Sequence, residues 1–247
     1  MQSFGPPLKL GLTSLAQDDW LKAQPGDAGL LEARRAIVAQ HRQAVIAERE
    51  EAAAAVRELA NSLVQLGRIA GECPATDIMP WLAVRIAEDL CILTKDAVGQ
   101  LRLTAATVCF PNRWRMSEKI GATMLETHSP VPDYADGIGV TVDRFLDRLR
   151  PGRFYARSNW GVVGSTELFT PDPTPPIDPL GLGPAFIRRE DQTFARLPQS
   201  EAIVFSIRTS FVAVADLSPE ERHDLTDWLA PLSADWRRYK SIGPATA

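Results

Sequence analysis

The chain has 247 residues, 45% hydrophobic and 23% charged, a balance that predicts one globular domain or one domain with a helical extension. Its formal net charge of −4 excludes a surface built to track nucleic-acid phosphates. No run approaches the ~20 consecutive apolar residues of a spanning helix, and the opening MQSFGPPLKLGL predicts neither a signal peptide nor an anchor, so the expectation is a cytoplasmic protein.

From about residue 27 to 67 the chain is rich in Ala, Glu, Arg and Leu and lacks Pro, and past Gly29 it has no Gly until its end, which predicts helix. Apolar residues at Leu30/Leu31, Ile37/Val38, Val45/Ile46, Val56, Leu59, Leu63 and Leu66 form its stripe. The organisation changes near Pro80, so the expected division is a helical extension over 1–79 and a second unit over 80–247. In that unit DLCILTK and LRLTAATVCF predict two strands with a turn around Gly99. SEKIGATMLE and GVTVDRFLDRL have helical spacing, with Ser117 as an N-cap and Gly152 as a stop. RFYARSNWGVV, AFIRREDQTFARL and AIVFSIRTSFVAV predict three further strands, and the Pro-rich PDPTPPIDPLGLGP between the first two cannot hold a ladder. LSPEERHDLTDWLAPL predicts an amphipathic helix with Leu217, Leu225, Trp228 and Leu229 inward. Two strands, then helices, then three strands predict an α+β fold: a five-stranded antiparallel PAS-like sheet with crossing helices, a layout that holds small cofactors between sheet and helices.

The segment over residues 109–132, CFPNRWRMSEKIGATMLETHSPVP, places a thiol, an imidazole and several prolines close together. Prolines near His128 restrict the backbone around a side chain that can ligate a metal or move a proton. Cys73, Cys91 and Cys109 are three thiols at wide spacing, which argues against a disulfide framework or a zinc site.

The series EDLCIL, CFPNRW, EKIG, HSPVP, RSNW, REDQTFARLP and VFSIRT, spread over about residues 75–212, resembles the haem-dependent oxidative N-demethylase family, the dimethylamine monooxygenase haem subunits. The family's usual pattern differs at Asn112, Gly161, Arg189 and Asp191. The resemblance implies a haem-binding PAS-like fold and oxidative removal of a methyl group from dimethylamine or a related small secondary amine, releasing formaldehyde. It also implies haem b, electrons from NADPH through a reductase partner carrying flavin and an iron–sulfur centre, and a folate-binding partner. The chain itself has no dinucleotide fingerprint and no cysteine set for an iron–sulfur cluster, so turnover would need such partners.

Within that resemblance His128 is the candidate axial ligand and Cys109 the alternative, because thiolate can also bind haem iron. His41 and His223 read as surface residues on charged helices. Arg113, Arg115, Arg157, Arg188 and Arg208 fall in the shared motifs as candidate partners for haem propionates, and Trp160 as a pocket wall. A small secondary amine is cationic at neutral pH and calls for a carboxylate or an aromatic face, so Glu190 is the candidate acid–base or amine-binding group. Asn159 and Thr193 are candidates for positioning oxygen or water. Two other classes fit the same residues: a haem-PAS gas or redox sensor acting in trans, and a haem-free structural subunit.

Overall fold

The computed structural model describes residues 10–243. A seven-stranded antiparallel sheet forms its centre, in the order β1-β5-β6-β7-β3-β4-β2. The five predicted strands are all present: β3 (Asp89–Lys95), β4 (Leu101–Thr107), β5 (Phe154–Val163), β6 (Phe186–Arg196) and β7 (Ile203–Ala213). The expectation of five is corrected to seven by two short edge strands. β1 (Thr13–Leu15) pairs with the start of β5, and β2 (Ile46–Glu48) pairs with the end of β4.

β2 falls inside the stretch expected to be one long helix, so that helix is two: α1 (Asp27–Val45) and α2 (Ala53–Gln65), separated by β2 and a 3₁₀ turn. Ile46 is β-branched and its stretch meets a sheet edge with open hydrogen-bonding groups, so tertiary pairing overrides helix composition there. α3 (Ile78–Ala83) leads into β3. Between β4 and β5 lie α4 (Met116–Lys119), α5 (Met124–Thr127) and α6 (Gly139–Arg148). The expected Ser117 cap is corrected too: Ser117 lies inside α4, and the cap is Thr123, which forms a reciprocal capping box with Glu126 at the start of α5. The C-terminal helix is α7 (Pro219–Leu229), boxed by Ser218 and Glu221, and it is followed by α8 (Ala234–Lys240). Among the described residues no helix is long and apolar enough to cross a membrane.

Side chains alternate across a strand, so the register divides the sheet into two faces. Phe154, Ala195, Val204, Ile92 and Ala105 are cross-strand neighbours in one cluster with Val56, Leu59 and Leu63 of α2 and Leu82 of α3. Tyr155, Phe194, Phe205, Cys91 and Ala106 line the other face, packed with Met116, Tyr134, Val142 and Leu146 of the α4–α6 region.

The most demanding buried group is Asp89, at the head of β3. Its carboxylate meets Arg34 of α1 at 2.6 Å and accepts the backbone N–H groups of Cys109 at 2.7 Å and Phe110 at 3.1 Å. Arg34, also fully buried, donates to the Ala83 carbonyl at 2.6 Å and to Thr107. Burial pushes the Asp89 carboxyl upward, and the guanidinium and the amide donors oppose it. Removing only the cation leaves that carboxylate uncompensated, so Arg34→Met should cost about 3–5 kcal/mol in urea unfolding, and adding Asp89→Asn should return part of the loss. An unchanged midpoint for Arg34→Met would show that the pair contributes nothing.

Candidate functional site

The upper half of the α6-side face is polar. Cross-strand pairing sets Arg157 beside Gln192, Asn159 beside Glu190 and Gly161 beside Arg188, with Thr209 next to Glu190 on β7. Glu190 accepts from Arg188 at 3.3 Å and from Gln192 at 3.2 Å. Arg188 is buried and donates to the Phe110 carbonyl at 2.6 Å and to Thr209 at 3.2 Å. Asp89 holds the Phe110 N–H, so the loop after β4 is fixed from both ends of one residue.

His128 is the C-cap residue of α5. Its backbone N–H and its ring Nδ1 both lie on the Met124 carbonyl, at 3.1 and 2.8 Å. A carbonyl can only accept, so Nδ1 carries the proton and Nε2 keeps its lone pair. The ring stacks on Tyr134, centroids 4.4 Å apart and 8° from parallel. Burial, with Lys119 and Arg157 nearby, pushes its pKa down and holds it neutral. Gly139 permits the close approach of α6: a side chain's first carbon there would stand 3.0 Å from the Tyr134 carbonyl oxygen and 3.2 Å from its ring. His128 and Tyr134 also line an open cleft of about 380 Å³ with Leu125 and Val131, rimmed by Glu126, Asp133 and Asp136.

The arginines separate by what already holds them. Arg113, at φ 53°, donates to the Tyr239 carbonyl at 2.6 Å and to Ser241 at 2.8 Å, which clamps the end of α8. Arg115 pairs with Asp172 near the surface. Arg208 is bound by Glu88 at 2.8 Å and by Asp27. Arg157 differs: its Nε is buried without a hydrogen-bond partner, and burial pushes its pKa down despite Glu190 and Tyr134 nearby. The Tyr134 hydroxyl is likewise buried without a partner. Two orphaned polar groups beside one imidazole are what a bound ligand would satisfy.

The structure therefore brings His128, Arg113, Arg157, Arg188, Glu190 and Asn159 to one region. Thr193, Trp160 and Arg208 stand on the opposite strand parity and are not brought there. Thr193 bonds Ser206 at 2.6 Å, and Trp160 packs on Trp228 at 4.3 Å. Cys109 is fully buried beside Val45 and Phe110, with its thiol pushed up to about 11 by burial, so it is a core thiol rather than a ready thiolate. Sequence reasoning missed Tyr134 and Lys240. Tyr134 falls in an irregular loop just before α6 whose contacts no local pattern marks, and Lys240 belongs to a helix outside the predicted elements; only the Gly139 spacing hints at the first.

These residues fit a haem carrying two carboxylates and needing one neutral imidazole: His128 offers Nε2, and Arg157 and Tyr134 offer unspent donors. His128 has its pKa lowered on folding, so the unfolded chain binds the extra proton and stability falls as pH drops below about 6.5. His128→Phe, which keeps the stack, should flatten unfolding free energy against pH below that value; an unchanged slope would remove the buried neutral imidazole. A family model described as haem-dependent oxidative N-demethylase, alpha subunit-like, matches residues 68–246, and with most of its length inside that match the chain belongs to this family.

Proposed function

We propose that the protein is the haem-binding subunit of an oxidative N-demethylase acting on dimethylamine or a related small secondary amine. The observation that carries this reading is His128: its Nδ1 is spent on the Met124 carbonyl, leaving a neutral Nε2 lone pair, while Arg157, whose charge acts on the same imidazole, holds an unpartnered Nε. In this reading His128 holds the iron, and Arg157 with Tyr134 meets a propionate. Bound there, haem b supplies redox-active iron at which dioxygen and electrons reach the substrate's methyl group. Arg188 and Gln192 fix the two oxygens of Glu190, so its carboxylate presents negative charge in one orientation.

A cationic amine would be drawn to that charge, and Asn159 stands directly across the strand pair to orient it. The cleft beside His128 carries three carboxylates and no lysine or arginine among its lining residues, which favours a cationic substrate over an anionic one. The five long strands with helices between the second and third support the PAS-like description. Residues 80–247 hold every residue given a role here, and the described residues before 80 brace the sheet through β1, β2 and α2. Electrons come from NADPH through a flavin and iron–sulfur reductase partner, and formaldehyde passes to a folate-binding partner in the cytoplasm.

His128→Ala should lose the Soret band of the haem-loaded protein while keeping its circular dichroism; an unchanged spectrum moves the ligand elsewhere. Glu190→Gln should keep the Soret band and lower NADPH-linked formaldehyde release by about 10²–10⁴-fold when the reductase partner is supplied. Full activity in that variant removes Glu190 from the mechanism.

A further inference from the structure

Lys240 is a buried amine that nothing above uses. It closes α8 and reaches over the part of the β5 edge that β1 does not cover, where its Nζ donates to the Trp160 carbonyl at 3.0 Å. Gly161 lets the Lys240 chain lie close against the strand, since a first side-chain carbon there would already be in contact with Nζ, at 3.8 Å. The groups facing it are Arg113 from the loop after β4, Arg157 and Glu190 from β5 and β6, and the Trp228 ring of α7, whose centroid lies 6.0 Å away. Among the described residues no carboxylate stands at ion-pair distance from this nitrogen. A buried ammonium ordinarily requires such a partner, and here two guanidinium groups act against it. A carbonyl accepts as well from a neutral amine. The arrangement therefore weakens the amine's hold on its proton, and its pKa is accordingly lowered to about 8, chiefly by burial.

We propose that Lys240 is a nucleophilic site for small aldehydes, which its ε-amine takes up reversibly as a carbinolamine and then an imine. The nitrogen lone pair attacks the carbonyl carbon, and the carbonyl π pair moves to oxygen. That oxygen takes the proton that the nitrogen, made cationic by the attack, gives up, with Glu190 the carboxylate whose charge acts on Nζ. Loss of water gives the imine, and its hydrolysis returns amine and aldehyde unchanged, so no oxidant or reductant is consumed. The source of the aldehyde rests on the function proposed above, because oxidising a methyl group off nitrogen releases its carbon as formaldehyde. The chemistry of the amine does not rest on it.

The test is reductive trapping of the full-length protein with isotopically labelled formaldehyde and cyanoborohydride at pH 7.5, followed by peptide mass mapping. Methyl label should enter Lys240 roughly tenfold or more faster than the exposed Lys22 and Lys95, because an amine near 8 is neutral roughly two-hundredfold more often there than a reference lysine. Lys240→Arg should lose that fast phase and keep the cation. Label entering Lys22 and Lys95 at an equal or faster rate than Lys240 overturns the proposal and leaves the amine as a cap on an edge-strand carbonyl. The Soret band is read on the same samples: its absence with fast labelling sinks the haem reading alone, and its presence with slow labelling sinks this one alone.

Discussion

The rest of the structure depends on the desolvated carboxylate of Asp89. One fully buried charge at the head of an interior strand can persist only if every lone pair is met, and three chain segments are recruited to meet it. Arg34 brings α1, the Cys109 and Phe110 amides bring the loop after β4, and the Arg34 fork also holds α3 through Ala83. The Phe110 carbonyl then accepts from Arg188, which in turn fixes Glu190. A structural ion pair is thus linked to the candidate site through the two polar groups of a single residue's backbone. Such a chain has one satisfied arrangement, so it sets the position of Glu190 with little freedom.

A second constraint is charge. Arg113, Arg157, Arg188 and Lys240 share the region with Glu190, and burial disfavours the charged forms of Arg113, Arg157 and Lys240. Evolution of a packed core would not accumulate unpaired cations there without a compensating gain. Most of these cations are partly absorbed by backbone carbonyls: Tyr239 for Arg113, Phe110 for Arg188, Trp160 for Lys240. Carbonyl dipoles soften a buried positive charge without cancelling it. The residual field therefore favours an anionic group beside the unpartnered Arg157 Nε, as the propionates of a family haem would provide.

What could be read in the sequence follows from how locally each feature is determined. β3, β5, β6 and β7 carry their own pattern of β-branched and aromatic residues, so their limits emerge within a residue or two. β1 and β2 have three residues each and exist because a neighbouring edge offers hydrogen bonds, which no local window records. Strand parity was available in principle: Glu190 and Arg188 share one face, while Thr193 must share the other with Arg189 and Asp191. Taking motif membership without parity grouped Thr193, Trp160 and Arg208 with the wrong neighbours. Arg208 was legible as a costly buried cation, yet its two carboxylates come from Asp27 and Glu88, one of them 181 positions away in the chain. Lys240 could not be found, since a lysine in a short polar helix signals solvent unless the packing of that helix is known.

The orientation of His128 shows how weak elements yield a rigid group when combined. α5 has four residues, far below the length at which a helix persists alone. Its start is fixed by the Thr123–Glu126 capping box, and its end by the Met124 carbonyl receiving two donors from His128 itself. The imidazole plane is then set by Tyr134, whose own position requires the missing side chain at Gly139 and the anchoring of neighbouring Asp133 by the Trp236 indole N–H at 3.0 Å. Trp236 belongs to α8, the helix that also supplies Lys240 and is clamped by Arg113. α8 therefore acts on both sides of the site, holding the loop that aims the imidazole and covering the open edge of β5. Loosening it would disturb the ligand's aim and the buried amine together, although neither touches the other.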